Sequence, residues 1–450
     1  MRREGFSGRA GLIAAAAGSA IGLGNIWKFP YILGRNGGGA FLIVYLICIA
    51  IIGLPLVLTE FAIGRKGQAN AVQAFENIMP KKKFWKFAGT LSMITSFIIL
   101  SFYSMIAGWI FAYMFKYMTG SLSKVPVSGL TDYFNNLAGS YEPIFWTVLV
   151  LAITAFIVHS GIKDGIEKCS KILMPVLLVL LGVLMVRSLT LDGAMEGIKF
   201  LFKPNFSSLD GKAFLEALAH CFYSLSIGLG ILITFGSYTS KEEDIPKVAL
   251  SLTLADTGIA LIAGLVIFPA VFAYGFEPTA GVGLIFMTIP AVFNEMPLGT
   301  LFGSLFFLAV GVAAITSTTS LLEVATSVVT EKFNISRTKA VVMLTALLGA
   351  LSVLSILSFG DLSDVTIFGK TFFDIFDFST EKIFLPAVGL MTCLFAGWVW
   401  KPKNVEEELC CGGNSTFKLS KIYSFIIKFV APVAIICIFL YFSGIYKIFS

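Results

Sequence analysis

The chain has 450 residues, 57% of them hydrophobic and 13% charged, with a net charge of +6 and a mean hydropathy of +0.87. Soluble domains carry about 25% charged residues, so this composition excludes an ordinary soluble globular protein and points to a polytopic membrane protein. The positive balance is spread over the loops, which argues against a nucleic-acid surface.

Apolar runs of spanning length, about 20 residues each, predict eleven spans. They cover 11–33, 40–63, 87–117, 143–160, 169–188, 213–236, 247–274, 300–330, 339–358, 379–400 and 422–446. The runs are continuous rather than alternating, so the spans are helices and not barrel strands. Residues 278–296 are apolar but broken by Gly and Pro, and are expected to form a re-entrant or lid-like segment. The first apolar run is too long for a cleavable leader. With the N-terminus inside, Lys and Arg favour the cytoplasmic loops by about two to one. This predicts a multi-pass plasma (inner) membrane protein with a cytoplasmic N-terminus and, after an odd number of spans, an extracytoplasmic C-terminus.

The seven cysteines are scattered, mostly within spans, and imply no disulfide framework. Cys410-Cys411 admits a metal or lipidation reading, with nothing around it in support. His159 and His220 fall in spans of different halves, without metal-ligand spacing. No nucleophile elbow and no Walker motif appear. These absences argue against an intramembrane enzyme or an ATP-driven pump.

Two spans are interrupted. The first reads AAAAGSAIGLGNIWKFP over 14–30, and the sixth reads SLSIGLGILITF over 224–235. Unwinding a helix frees backbone groups that cost several kcal/mol each if left unpaired in lipid. A ligand or an ion can complete them. Gly22 and Gly24 permit a left-handed backbone and close approach of a ligand. The half-helix that begins near Asn25 presents N–H groups to an anion. A single such word would be read as close packing by small residues. Two at matching places in two halves point to the binding site of a secondary transporter. The halves are 1–188 (spans one to five) and 213–400 (spans six to ten, inverted), with 422–446 as an additional span.

The segments GSAIGLGNIWKFPYILGRNGGGAFLIVYLI, GLPLVLTEFAIGR, SLSIGLGILITFGSY and AAITSTTSLLEV stand in order along the chain. In them the sequence resembles the neurotransmitter:sodium symporters, from about Arg3 to Trp400. Most members have twelve spans. With eleven, this chain looks most like the bacterial amino-acid transporters of the family, one of which carries tyrosine. The resemblance implies an all-α fold of two inverted five-helix repeats with broken first and sixth helices, plus one C-terminal helix. It also implies a substrate carboxylate on the N–H groups of Leu23 and Gly24 and the hydroxyl of Tyr103. The amine would meet the carbonyls of Ala20, Tyr223 and Ser224, with Ser226 nearby. Ile99, Tyr103, Tyr223, Ser226, Leu229, Ser317 and Leu321 would line the side-chain pocket, and Tyr103 and Phe222 would close over it. That lining carries no charge, which favours a neutral apolar or aromatic L-amino acid, tyrosine among them.

The resemblance further implies two sodium ions as coupling ions. One would sit on the carbonyls of Gly18, Ile21 and Ala313 and the hydroxyls of Thr316 and Ser317. The other would be held by the Ala20 carbonyl, Asn25, Ser224, Asp256 and the substrate carboxylate. Hydroxyls and freed carbonyls suit a hard cation. The bland reading of the Thr316–Ser320 run is back-bonding to its own helix. Asp256 places a carboxylate inside a span, at a cost of about 2.5–3.5 kcal/mol. Relatives often have Asn there and recruit chloride, partly through a Ser four residues on, which here is Ala260. Asp256 is therefore expected to supply a fixed negative charge in place of chloride.

Lys28 and Asp377 match the outer gate pair, with Asp374 as a second partner, and a hydrogen-bonded neutral His220 is expected nearby. Arg3 and Glu331 match the inner pair, supported by Ser237 and Tyr238, with Phe6 as the plug. Buried Glu60 is expected to accept hydrogen bonds from unwound backbone. Glu323 has no assigned role. The alternatives are a proton-coupled carrier in which Asp256 titrates, or a channel or receptor on the same fold. The expected partners are a small-molecule amino acid and membrane lipids, with no nucleic acid. Nothing in the sequence sets an oligomeric state.

Overall fold

The computed structural model describes residues 5–277, 281, 283–410 and 419–442, and every statement below concerns these. Arg3, Cys411 and the end of the eleventh span lie outside them. Nine uninterrupted helices are long and apolar enough to span a membrane. They are Gly39–Gly67, Lys83–Met118, Glu142–His159, Ile162–Leu189, Ile245–Ala273, Gly299–Phe333, Arg337–Leu357, Phe372–Val399 and Ser420–Phe442. The first span is a pair, Arg9–Ala20 and Gly24–Arg35, bent by 46° at its break. The sixth is also a pair, Gly211–Ser224 and Ile231–Ser237, separated by six non-helical residues. Nine helices, or ten with the bent first pair, are thus long and apolar enough to span a membrane, and the sixth pair lies where the sequence places the remaining span.

The ends that differ from the sequence reading have local causes. The fifth span begins at Ile162 rather than 169, because the charged stretch Ile162–Glu167 forms a wide helical turn after Gly161. The tenth begins at Phe372 rather than 379, because Thr371 and Asp374 cap each other's backbone N–H groups. Residues Leu284–Glu295 of the expected re-entrant segment form a short, buried, bent helix. It is held to the third span by Tyr113, whose hydroxyl donates to the Phe286 carbonyl at 3.0 Å.

Burial sorts the spans into layers. The third and eighth are nearly enclosed and pack along their lengths, whereas the fourth, fifth, ninth and eleventh keep much of their surface outward. The outward residues are large and apolar, Phe156, Val179, Val342 and Val433 among them, as a lipid-facing shell requires. The two broken helices lie inside this frame, against the second, fifth, seventh and eighth spans, and hydrogen bonds join their breaks to the third.

Candidate functional site

The first break opens where Ile21 turns to an extended backbone, with φ −77° and ψ 91°. Its N–H still closes onto Ala17 at 2.7 Å. The chain re-enters a wide helical turn at Gly24. The Asn25 side-chain carbonyl accepts from the Gly22 N–H at 3.2 Å and so replaces a missing helix bond. Neither Gly22 nor Gly24 uses the left-handed backbone that glycine permits. Gly22 is needed for closeness: a β-carbon there would lie 2.4 Å from Ser317 Oγ and 2.8 Å from Tyr103 Oη. The sixth span behaves in the opposite way. Ser226, Gly228 and Gly230 have φ of 57°, 82° and 72°, so this break is built from left-handed residues. The Gly228 N–H donates to buried Glu60 at 2.8 Å, as expected.

Between the breaks lies a cavity of about 30 Å³, on the order of two waters in size. All seven expected pocket residues line it: Ile99, Tyr103, Tyr223, Ser226, Leu229, Ser317 and Leu321. Ala20 and Gly24 join them, and so do Ser19, Gly22 and Ile231, which the sequence reading did not include. No lining side chain is charged. Leu23 stands behind the wall, with its N–H donating to Tyr103 Oη at 3.1 Å. Phe222 and Ser224 do not line the cavity. Phe222 turns to the tenth span, where a β-carbon on Gly389 would fall 2.3 Å from its ring. Ser224 turns to Asp256.

Asp256 is fully buried and ties three spans together. The Asn25 amide donates to its Oδ1 at 2.7 Å and to its backbone carbonyl at 2.9 Å. The Ser224 hydroxyl lies 2.9 Å from each carboxylate oxygen. On the other side of the first break, Gly18 backs onto Thr316, whose Cβ would be 3.3 Å from a β-carbon at position 18. Thr316 and Ser317 donate to the Ala313 carbonyl at 3.0 and 3.2 Å. The bland reading holds for the whole run, since Thr318, Thr319 and Ser320 also bond back to their own helix. Ser317 does more, because it also donates to the Ser19 carbonyl at 3.2 Å and so bridges the first and eighth spans. The buried Ser19 hydroxyl has no hydrogen-bond partner among the described residues.

At the Lys28 end of the first span the expected partner Asp377 lies 3.9 Å from the ammonium, and Glu381, which the sequence reading did not name, is in direct contact with it. Glu381 is one helical turn beyond Asp377 on the same face of the tenth span, so the spacing could have pointed to it. Asp374 is occupied in the helix cap with Thr371. The Lys28 ammonium also sits 4.3 Å from the centre of the Tyr223 ring. His220 is not hydrogen-bonded among the described residues. It packs in a three-ring cluster with Phe29 and Tyr45, whose ring centres are 5.9 and 5.3 Å from its own and 5.1 Å from each other.

At the inner end Phe6 packs edge-on to Phe235 and Tyr238 at 5.5 and 6.3 Å. Glu331 accepts from the Asn70 amide at 2.7 Å. Ser237 donates to the Thr234 carbonyl of its own helix at 2.6 Å. Tyr238 donates to Glu323 at 2.8 Å, and Arg337 pairs with the same carboxylate through two nitrogens. Glu323 thus anchors a three-residue cluster.

A multi-pass helical protein whose two broken helices face each other across an uncharged cavity, flanked by oxygen-rich clusters, is built as a secondary transporter. The sequence model of the Sodium:neurotransmitter symporter family matches residues 3–136 and 134–448, and the chain belongs to that family. It is 38% identical over 441 residues to an uncharacterized sodium-dependent transporter of Bacillus subtilis, covering 98% of both chains. A sodium-dependent transporter of Haemophilus influenzae is 36% identical, again over 98% of both. The mouse sodium- and chloride-dependent creatine transporter 1 is 27% identical, over 91% of this chain and 72% of that one. Among solved structures, MhsT in complex with L-phenylalanine superposes with a TM-score of 0.90 at 46% identity, covering 97% of this chain and 99% of that one. The fold is therefore the inverted-repeat transporter fold expected, with sodium as coupling ion and a small-molecule substrate, and the protein is no enzyme.

Proposed function

We infer that this chain takes up a neutral apolar or aromatic L-amino acid, tyrosine among the candidates, coupled to two sodium ions and independent of chloride. The observation that carries this reading is the uncharged cavity between the breaks, with the Leu23 N–H and Tyr103 Oη at its edge. A carboxylate suits those donors, and the apolar wall from Ile99 to Leu321 suits a neutral side chain. MhsT, a similar protein, was solved with L-phenylalanine. One sodium is assigned to the contact of the first and eighth spans, on Gly18, Ile21, Ala313, Thr316 and Ser317. The other is assigned to Ala20, Asn25, Ser224 and Asp256, adjacent to the substrate carboxylate. Ion and substrate in contact raise each other's affinity, which is the coupling. Down a tenfold gradient and about 100 mV, each sodium releases about 3.7 kcal/mol.

In this reading Asp256 supplies the charge that chloride brings elsewhere. Residues 1–188 and 213–400 are the two inverted repeats, and the N-terminus is cytoplasmic in the plasma (inner) membrane. The pairs Lys28 with Glu381 and Asp377, and Arg3 with Glu331, are the outer and inner gates, with Phe6 plugging the inner one. The test is a scintillation-proximity screen of the proteinogenic amino acids with and without sodium, followed by uptake into proteoliposomes. Binding of neutral amino acids only in sodium is the expected result, and uptake surviving replacement of chloride by gluconate completes it. Buried Asp256 also supports a proton-coupled reading. Uptake that persists in choline at fixed pH would favour it over sodium coupling.

A further inference from the structure

The sixth-span break is held by two side chains from neighbouring spans. One is Glu60 on the Gly228 N–H. The other is Ser96 of the third span, whose hydroxyl donates to the Leu229 carbonyl at 2.5 Å. Ser96 is fully buried and has one turn of helix between it and Ile99, with Tyr103 another turn on, so the three share a face of the third span. Ile99 and Tyr103 line the cavity; Ser96 stands just beyond it. The residue it holds, Leu229, lines the cavity with its side chain.

Leu229 is flanked by Gly228 and Gly230, both left-handed. Glycine crosses φ space at little cost, so the peptide units on either side of Leu229 can rotate unless something fixes them. A β-carbon on Gly230 would meet Ser92 Oγ at 2.8 Å, so that side of the loop lies against the third span. The hydrogen bond from Ser96 fixes the Leu229 carbonyl and with it the peptide unit on the Gly230 side of the Leu229 side chain.

We propose that Ser96 is a positioning residue for substrate selectivity. By anchoring the Leu229 carbonyl it sets how far Leu229 projects into the cavity, and so which side-chain sizes are accepted. This rests on the reading of the cavity as an amino-acid site. One methylene more or less in a hydrophobic pocket discriminates by about 10- to 200-fold, so releasing Leu229 acts on selectivity more than on overall affinity.

The test uses the full-length purified transporter and competition by L-leucine, L-phenylalanine and L-tryptophan against one labelled neutral amino acid in sodium. Ser96→Ala is expected to shift the tryptophan-to-leucine affinity ratio at least fivefold towards the larger ligand, with the sodium concentration for half-maximal binding within twofold of the parent. Ser96→Thr keeps the hydroxyl and restores the parental ratio. In a Leu229→Ala background, Ser96→Ala no longer moves the ratio, because the side chain it positions is gone. If Ser96→Ala is inactive, Ser96→Cys, a weaker donor of similar size, must give a smaller shift in the same direction. A ratio within twofold of the parent in Ser96→Ala, equal weakening for all three ligands, or an unchanged effect in the Leu229→Ala background overturns the proposal. A parent that binds no neutral amino acid in sodium overturns the functional reading itself, and this inference with it.

Discussion

A single amide of Asn25 reaches both the carboxylate and the backbone carbonyl of Asp256, at 2.7 and 2.9 Å. The break in the first span is thereby tied to the middle of the seventh, and Ser224 brings the sixth-span break to the same carboxylate. The carboxyl group of Asp256 is held where two broken helices meet. Hydrogen bonds to a charged group are worth about 1.5–3 kcal/mol. Asp256→Asn is therefore expected to weaken apparent sodium affinity by roughly 10- to 100-fold, measured as the sodium dependence of amino-acid binding. The parent should transport equally in chloride and in gluconate. Complete loss of uptake in gluconate would remove Asp256 as the substitute for chloride.

The two breaks respond differently to an added methyl group. Gly22→Ala places a β-carbon 2.4 Å from Ser317 Oγ and 2.8 Å from Tyr103 Oη, in the cavity wall itself. It should cut substrate binding by at least tenfold while the protein remains folded, because both contacts are with side-chain ends that can yield. Gly230→Ala forces a left-handed alanine, at a cost of about 1–2 kcal/mol, and presses on Ser92. It should lower the melting temperature as well as binding. Equal thermal stability of the two variants would contradict the distinction.

The paired breaks could be read from the sequence because they depend on local words, Ile-Gly-Leu-Gly twice, whereas the seven pocket residues are implied by the family resemblance, since Ile99 and Tyr103 lie in no such word. What each glycine does could not be read. Closeness at Gly22 and a left-handed turn at Gly228 look the same in one letter, and only the neighbours Ser317 and Tyr103 separate them. Some charge partners could not be read either. Lys28 touches Glu381 as well as Asp377, and Tyr238 bonds Glu323, for which the sequence assigned no role. Those choices depend on how helices rotate against each other, which apolar runs leave undetermined. His220 illustrates the same limit, since the two rings that pack against it come from the first and second spans.

Glu323 is fully buried, and its carboxylate is shared by Tyr238 and Arg337. Removing one partner of a buried ion pair costs about 3–5 kcal/mol, because a charge is left uncompensated. Arg337→Ala is expected to destabilise the transporter by several degrees in a thermal unfolding assay. Tyr238→Phe removes one hydrogen bond, about 1.5–3 kcal/mol for a bond to a charged group, and should cost less. Arg337→Ala combined with Glu323→Gln should recover part of the loss, since the carboxylate is no longer charged. Failure of the double variant to improve on Arg337→Ala would show that the pair is not what holds this end together.

At the opposite end, Lys28 separates two acidic neighbours by burial. Glu381 is 9% exposed and in direct contact, whereas Asp377 is 37% exposed and 3.9 Å away. Exposed ion pairs contribute about 0–1 kcal/mol, and losing a partner from a buried one costs several. Glu381→Gln should therefore disturb the outer closure far more than Asp377→Asn. With a cysteine introduced at Leu385, one turn below Glu381 and lining the outer vestibule beside Lys28, labelling by a membrane-impermeant thiol reagent should speed up at least fivefold in Glu381→Gln. It should change by less than twofold in Asp377→Asn. Lys28→Arg is expected to resemble the parent only if the guanidinium keeps Glu381. The reverse order of the two acidic variants would return the gate to Asp377.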